Sequence, residues 1–432
     1  VIVNALDYLF GLEQFGIKFG LDNIRVLVES LGHPERAFQS VHIAGTNGKG
    51  SVTAMVDAAL RAAGFRCGRY TSPHLIDLTE RFAVDGQPIA RDALIDVIST
   101  VRDRVEALIA SGALQAQPTF FEVTTAAALE LFRRAAVEVA VIEVGLGGRL
   151  DSTNVITPVV SAITSIAFDH EQYLGRTLEA IAREKAGIIK PGIPVVVGTM
   201  AGEAAAAIEN VARDRGAELV RATDGVAIDD IGRSPDGTTR IRLKTPVRDY
   251  GELKVSLRGS HQVANAVVAV RVLELLDRER LHVPAEAIRD GLSCVSWPGR
   301  LEHRRLADGR EMIMDAAHNP AGAATLAAYL SETFQEKPPL VFAAMGDKDV
   351  RHMFEALLPS VSAVVVTRTS SSRSAAPEAL AQEARAVDPQ LPVVVKSRPA
   401  DALAAAFHMS PRIVIAGSIF LLADVMKDSS WM

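Results

Sequence analysis

The sequence predicts an α/β protein made of a larger, doubly wound N-terminal domain with a small antiparallel β insertion and a smaller Rossmann-like C-terminal domain. Three observations carry this. Short β-branched runs alternate with stretches of helical period; a glycine-rich segment lies where one such run passes into a helix; and the alternation restarts after Trp297-Pro298-Gly299-Arg300.

Taken in order, Val41–Ala44 reads as a buried strand and Val52–Ala63 as the helix that Gly64 closes. Between them, Gly45-Thr46-Asn47-Gly48-Lys49-Gly50-Ser51 forms a P-loop-type phosphate cradle. Glycines let backbone N–H groups turn toward anionic oxygens, the helix N-terminus faces the same anion, Lys49 adds a point charge and Ser51 offers a metal ligand. The strict pattern G-x-x-x-x-G-K-[ST] is missed twice, with Ile43 at its first glycine and Gly50 at its hydroxyl position. Val139–Val144, Val159–Ile166 and Ile193–Val197 read as buried parallel strands, and Thr124–Arg134 and Leu178–Ala186 as helices between them. From Thr223 to Arg258 the period falls to two, with Thr238–Leu243 following the turn signal Pro235-Asp236-Gly237, which predicts the antiparallel insertion. His261–Leu276 returns to helix. Pro298 and Gly299 break both periods, so the domains are expected at residues 1–296 and 297–432. The second series has strands at Met312–Met314, Leu340–Ala344, Ala363–Thr367, Val393–Lys396 and Ile413–Ile415.

Composition narrows the function classes. A chain of 432 residues that is 48 % hydrophobic can bury two cores. Its net charge of −6, without a dense Lys/Arg block, argues against nucleic acid as the main partner. Cys67 and Cys294 stand far apart without metal-type spacing, which points to a reducing compartment, and no segment has eighteen uninterrupted apolar residues. A cytoplasmic monomer with no membrane partner is expected.

Carboxylates and imidazoles recur where strands end. Glu143 precedes Gly145-Leu146-Gly147-Gly148-Arg149, and Asp169-His170 lies beyond the next strand, so both reach the crevice in which α/β sheets bind ligands. A divalent cation on ATP prefers oxygen ligands, which suits Ser51 and Glu143 better than His170.

The motifs Thr46–Ser51, Thr71-Ser72-Pro73-His74-Leu75, Glu143–Asp151, Asp169-His170 with Arg183-Glu184-Lys185-Ala186-Gly187, Gly259-Ser260-His261-Gln262, Trp297–Glu302 and Asp315-Ala316-Ala317-His318-Asn319-Pro320 occur in this order. Together they resemble the bacterial folylpolyglutamate synthase/dihydrofolate synthase family of Mur-type ligases, from about Tyr8 to Ala423; Phe15-Gly16-Ile17-Lys18 and Ala416-Gly417-Ser418 fit it too. The resemblance implies a Mur ligase central-type ATP-binding domain and a C-terminal glutamate ligase domain. It implies ATP contacts from Thr46, Asn47, Gly48, Lys49, Gly50, Ser51, Asn265, Arg300, Asp315 and Asn319, and metal ligands at Ser51, Ser72, Glu143, His170 and a carbamylated Lys185. Lys49, Lys185, Arg300 and His318 would be catalytic. Thr119, Phe120, Phe121, Glu122, Leu150, Asp151 and Ser152 would contact a pterin, through ring stacking and pairing of a carboxylate with the aminopyrimidine edge. From the residues alone, Phe120 and Phe121 could equally be core, and His318 and Asn319 could equally cap a helix before Pro320. The implied cofactors are ATP, two magnesium ions and a monovalent cation. The implied substrates are L-glutamate with dihydropteroate or a reduced folate, joined through an acyl phosphate.

Two other classes fit the sequence less well. A peptidoglycan-type Mur ligase needs a nucleotide-sugar domain ahead of the loop, where only about forty residues stand before Gly45. A non-ligase P-loop NTPase leaves Asp315–Pro320 unexplained.

Overall fold

The structure, a computed structural model, describes residues 4–16, 18–234, 237–279 and 281–428. Ile17, Pro235 and Asp236, on which part of the N-terminal motif and of the predicted turn fell, lie outside the described residues. The first sheet has eight strands in the spatial order Gln87–Pro88, Phe82–Val84, Cys67–Tyr70, Val139–Glu143, Gln39–Ala44, Val160–Ile163, Val195–Val197 and Leu219–Arg221. All neighbours are parallel except at the edge formed by the first three.

The strand Gln39–Ala44 lies between Val139–Glu143 and Val160–Ile163, and the chain runs outward from it in both directions. Loops at the carboxyl ends of these three strands therefore diverge and leave a crevice. Successive side chains feed opposite faces. Val139 and Val141 join a core with the loop helix Lys49–Ala62 and the helix Ser260–Arg278, while Ala140 and Ile142 join a core with the helices Arg91–Ala110 and Phe120–Arg134.

The sequence reading did not name the strands Cys67–Tyr70, Phe82–Val84, Gln87–Pro88 and Leu219–Arg221, and the elements that it did name differ at their ends. The loop helix starts at Lys49, because Gly48 takes φ 86° as its N-cap. The helix predicted from Thr124 starts at Phe120, capped by Thr119. The strand expected over Val159–Ile166 shrinks to Val160–Ile163, since Thr164 and Ser165 turn their hydroxyls to the glycine-rich loop. The twenty-residue helix Arg91–Ala110 was not anticipated; its buried Leu94, Val97, Ile98, Val101 and Val105 are diluted by charged residues. The insertion is a three-stranded antiparallel sheet of Ala227–Arg233, Thr239–Lys244 and Asp249–Val255.

A six-stranded sheet forms from the rest, in the order Glu302–Arg305, Glu311–Met314, Arg412–Ala416, Leu340–Phe342, Val364–Val366 and Val393–Val395. Its first strand is an antiparallel edge that the sequence did not suggest. The segment Trp297-Pro298-Gly299-Arg300 connects the helix Ala285–Cys294 to this sheet.

The loop helix is held from behind by Ala285–Cys294, where a Cβ on Gly291 would lie 2.5 Å from the Ala59 nitrogen and 2.6 Å from its Cα. Gly291→Ala is expected to lower stability by about 1–3 kcal/mol, because overpacking against immovable backbone outweighs the helix propensity of alanine, worth about 1 kcal/mol. Urea unfolding measures it; a more stable variant would show that the two helices separate freely.

Candidate active site

The glycine-rich loop is fastened to the end of the next strand. The Asn47 carbonyl accepts from Thr164 Oγ1 (2.6 Å) and Ser165 Oγ (3.0 Å), the Asn47 N–H donates to Ser165 Oγ (3.1 Å), and the Thr46 N–H donates to the Ser165 carbonyl (2.7 Å). Lys49 Nζ donates to the carbonyls of Gly45 (3.0 Å) and Thr46 (3.2 Å), which bends its ammonium over the loop. The departure from the strict pattern at Gly50 has a steric cause: a Cβ there would sit 2.8 Å from Trp297 Nε1. The hydroxyl moves one position on, to buried Ser51, which accepts from Gln262 Nε2 at 3.2 Å.

A cavity of about 410 Å³ opens above this loop and gathers Thr46, Asn47, Gly48, Lys49, Gly50, Ser51, Ser72, Glu143, His170, Lys185, Asn265, Arg300, Asp315 and His318. Glu143 is 5 % exposed at its strand end, and no basic nitrogen lies within 4 Å of it among the described residues. Burial pushes its carboxyl up to about 7, against the opposing pull of Lys49 and Arg300 and a hydrogen bond from the Ser72 backbone. A buried carboxylate short of a cation, beside two hydroxyls, fits a hard divalent ion. Lys185 is also 5 % exposed, and burial with help from Lys49 pulls its amine down to about 7. The sequence alone would leave it an exposed helical lysine; the structure buries it. His170 caps a short helix at φ 52°, and burial lowers its ring to about 4, so it is neutral at pH 7.

Asn319 caps a helix, as one of its two readings has it, and also holds the glycine-rich loop. Its Oδ1 caps the helix Pro320–Thr333 through the Gly322 N–H (2.8 Å), and its Nδ2 donates to Asn47 Oδ1 (3.0 Å) and Asp169 Oδ2 (3.1 Å). It is buried and holds the loop rather than lining the cavity. Both carboxylate oxygens of Asp315 accept backbone N–H groups, Oδ2 from Leu301 and Oδ1 from Ala317. Half-exposed His318 bonds the Ala316 carbonyl through Nδ1 (2.8 Å) and approaches Asp169 Oδ2 through Nε2 (3.4 Å).

A second cavity, of about 510 Å³, shares Ser72, Gly145, Leu146, His170, Arg300 and His318 with the first. Thr119, Phe120, Phe121, Leu150, Asp151 and Ser152 line it. Glu122 does not. Its Oε2 accepts from the Thr119 N–H (2.7 Å) and Oγ1 (2.9 Å) in a reciprocal cap, so the carboxylate expected at a pterin edge instead fixes the turn that presents Phe120 and Phe121. Asp151 is also engaged: Oδ2 accepts from the Leu146 N–H (2.8 Å), Oδ1 from the Thr153 N–H (3.0 Å) and Oγ1 (2.5 Å), and the Thr153 hydroxyl in turn meets His42 Nε2 at 2.9 Å.

Sequence reasoning missed Asp169, Lys348, Gln262 and Arg81. Asp169 was visible in its motif but given no role; Lys348 Nζ reaches its Oδ1 at 2.6 Å from the C-terminal sheet side. Nothing in Gly346-Asp347-Lys348-Asp349 signals that contact, since a loop lysine is ordinarily solvated.

Residues 43–273 match the Mur ligase middle domain, and residues 299–419 match the Mur ligase glutamate ligase domain. The dihydrofolate synthase/folylpolyglutamate synthase of Bacillus subtilis is 38 % identical over 357 residues, 82 % of each chain. The folylpolyglutamate synthase of Mycobacterium tuberculosis, solved with ADP and AMPPCP, superposes with a TM-score of 0.91 at 35 % identity, covering 99 % of this chain and 98 % of that one. FolC of E. coli, in complex with DHPP and ADP, gives 0.86 at 29 % identity, covering 99 % and 97 %. On these matches and this geometry the chain belongs to the Mur ligase family, within the folylpolyglutamate synthase/dihydrofolate synthase group of ATP-dependent ligases.

Proposed function

We propose that the chain is a magnesium- and ATP-dependent ligase that joins L-glutamate to dihydropteroate and to reduced folates, with the phosphate chamber and the donor chamber meeting at the wall they share. That common wall is the observation that carries the reading. A carboxylate is a poor acyl donor. A donor carboxylate oxygen entering between the chambers attacks the γ-phosphorus, the P–O bond to ADP breaks, and an acyl phosphate forms. The neutral α-amine of glutamate then adds to the acyl carbon, phosphate leaves and the amine proton is lost. Lys49 and Arg300 line the phosphate chamber where charge would develop, and closure around bound substrates would exclude water that hydrolyses the acyl phosphate.

Ser51, Ser72, Glu143 and His170 would hold magnesium, which supplies neutralisation of phosphoryl charge. Lys185, carbamylated, would be a ligand of a second ion, and a monovalent cation belongs to the same reading. Carbamate formation requires the neutral amine as nucleophile for carbon dioxide, and an amine lowered to about 7 is neutral in a large fraction at cytoplasmic pH. Residues 1–296 and 297–432 are proposed as the two domains of a cytoplasmic monomer; no helix among the described residues is long and apolar enough to cross a membrane.

The functional test offers purified protein magnesium-ATP and glutamate with either dihydropteroate or tetrahydrofolate, following phosphate release and product mass. Glutamylation of both is expected; extension of tetrahydrofolate alone would remove the dihydrofolate synthase half. Phe121 packs its ring against Gly145 and 6.1 Å from Tyr70 at the chamber wall. Phe121→Ala should raise KM for dihydropteroate about tenfold and leave that for ATP within about twofold.

Glu143→Ala is expected to depress kcat by orders of magnitude with the thermal transition retained. Normal turnover in that variant would remove Glu143 from the metal site.

Lys185→Ala should lose activity that added short carboxylates partly restore. In the parent protein, carbamate occupancy should rise with pH through about 7, because the amine is protonated below its lowered pKa and free above it. Carbon-13 spectra with labelled bicarbonate would read that rise, and a flat signal would count against the modification.

A further inference from the structure

Arg81 lines the donor chamber and has no part in the proposed reaction. It ends the turn Leu78–Arg81, is 8 % exposed and lines the chamber beside Phe120. Its orientation is fixed from two sides. Nε donates to His74 Nδ1 at 3.0 Å, and Cζ lies 5.2 Å from the centroid of the Phe120 ring, which itself stacks with Phe10 at 6.3 Å. Among the described residues no carboxylate approaches Arg81 within ion-pair distance. Of the chamber's other cations, Lys348 pairs with Asp169 at 2.6 Å and Arg373 with Asp347 at 2.9 Å, Arg300 stands at the wall shared with the phosphate chamber, and Lys18 also lines the chamber.

A guanidinium buried without a carboxylate costs stability, and burial accordingly disfavours its charged form, with a side-chain hydrogen bond to Tyr70 and the more distant Glu13 and Glu143 favouring it. Such a group persists where something else supplies the anion. With Nε tied to an imidazole, one face covered by a ring and the Tyr70 side chain as a further partner, the terminal nitrogens still present a planar fork, the shape that pairs with a carboxylate through two parallel hydrogen bonds.

We propose that Arg81 is a specificity-determining residue that binds a carboxylate of the acyl donor. This rests on the ligase reading above. The fork selects donors by charge, while Phe120 serves both as its backing plate and as chamber wall. Two carboxylates qualify. Dihydropteroate brings only the one that reacts, whereas tetrahydrofolate brings a reacting γ-carboxylate and an α-carboxylate.

The test is a chemical cycle. Binding of dihydropteroate and of tetrahydrofolate, each against a carboxamide analogue, is measured by calorimetry for the parent protein, Arg81→Lys and Arg81→Gln, with binding of a non-hydrolysable ATP analogue as the fold control. The parent should prefer carboxylate to carboxamide by about tenfold or more, and Arg81→Gln should reduce that preference to within about twofold. Arg81→Lys, which keeps the charge and loses the fork, should fall between. A merely structural role would weaken acid and amide alike. Loss of preference with both donors places the fork on the reacting carboxylate; loss with tetrahydrofolate only places it on the α-carboxylate. Undiminished preference in both variants, with normal ATP-analogue binding and parent protein that consumes the donors, would overturn the assignment alone. A parent protein that neither binds nor consumes either donor would overturn the functional reading instead.

Discussion

The attachment of the glycine-rich loop to the neighbouring strand is the constraint on which the rest depends. A loop that turns its N–H groups toward an anion gives up backbone pairing of its own, and an unpaired buried carbonyl costs about 1–3 kcal/mol. Here Thr164 and Ser165 supply the partners, so the strand stops at Ile163 and its next two hydroxyls hold Asn47. The cradle is thereby built before any ligand arrives, and its binding energy need not be spent on ordering the chain. Gly48 can then begin the helix, Ser51 falls at its first turn and Lys49 bends over the loop.

The same logic joins the two halves. Asp169 lies two residues beyond Ala167, whose N–H and carbonyl both bond Thr46 Oγ1. Its carboxylate receives Lys348, Asn319 and the His318 edge, three groups from the C-terminal side, on a side chain only 9 % exposed. His318, then Lys348 and His170, hold its carboxyl well below the usual carboxylate range despite burial. A fixed anion thus orders the segment that carries His318 and Asn319 against the phosphate loop, and Asn319 completes the link through Asn47.

Periodicity made the central parallel strands of the two larger sheets legible, because buried strands such as Val139–Glu143 are runs of β-branched residues and the Pro-Gly interruption at Pro298 has no place in either period. The phosphate loop, Glu143 and the resemblance to folate ligases were legible for the same reason: each is a contiguous motif. What stayed hidden depends on contacts distant in sequence. Lys185 looks like any helical lysine until Gly148 and the loop close over it, and Glu122 looks like a free carboxylate until Thr119 is seen to use it as a cap. Arg81 gives no signal at all in sequence, since an arginine announces neither its burial nor its missing partner.

The contact between His42 and Thr153 fixes more than a distance. The Thr153 hydroxyl has one hydrogen, and its 2.5 Å approach to Asp151 assigns that hydrogen to the carboxylate. His42 must then donate through Nε2, which leaves Nδ1 as the bare nitrogen, and that atom is buried without a partner among the described residues. The ring is thus confined to one tautomer, and burial holds its pKa down to about 3, so acidification through the usual histidine range does not charge it. Sequence places an imidazole three residues before the glycine-rich loop, yet the fold makes it titration-silent: a rigid spacer whose single hydrogen is fixed by the Thr153–Asp151 bond at the wall of the donor chamber.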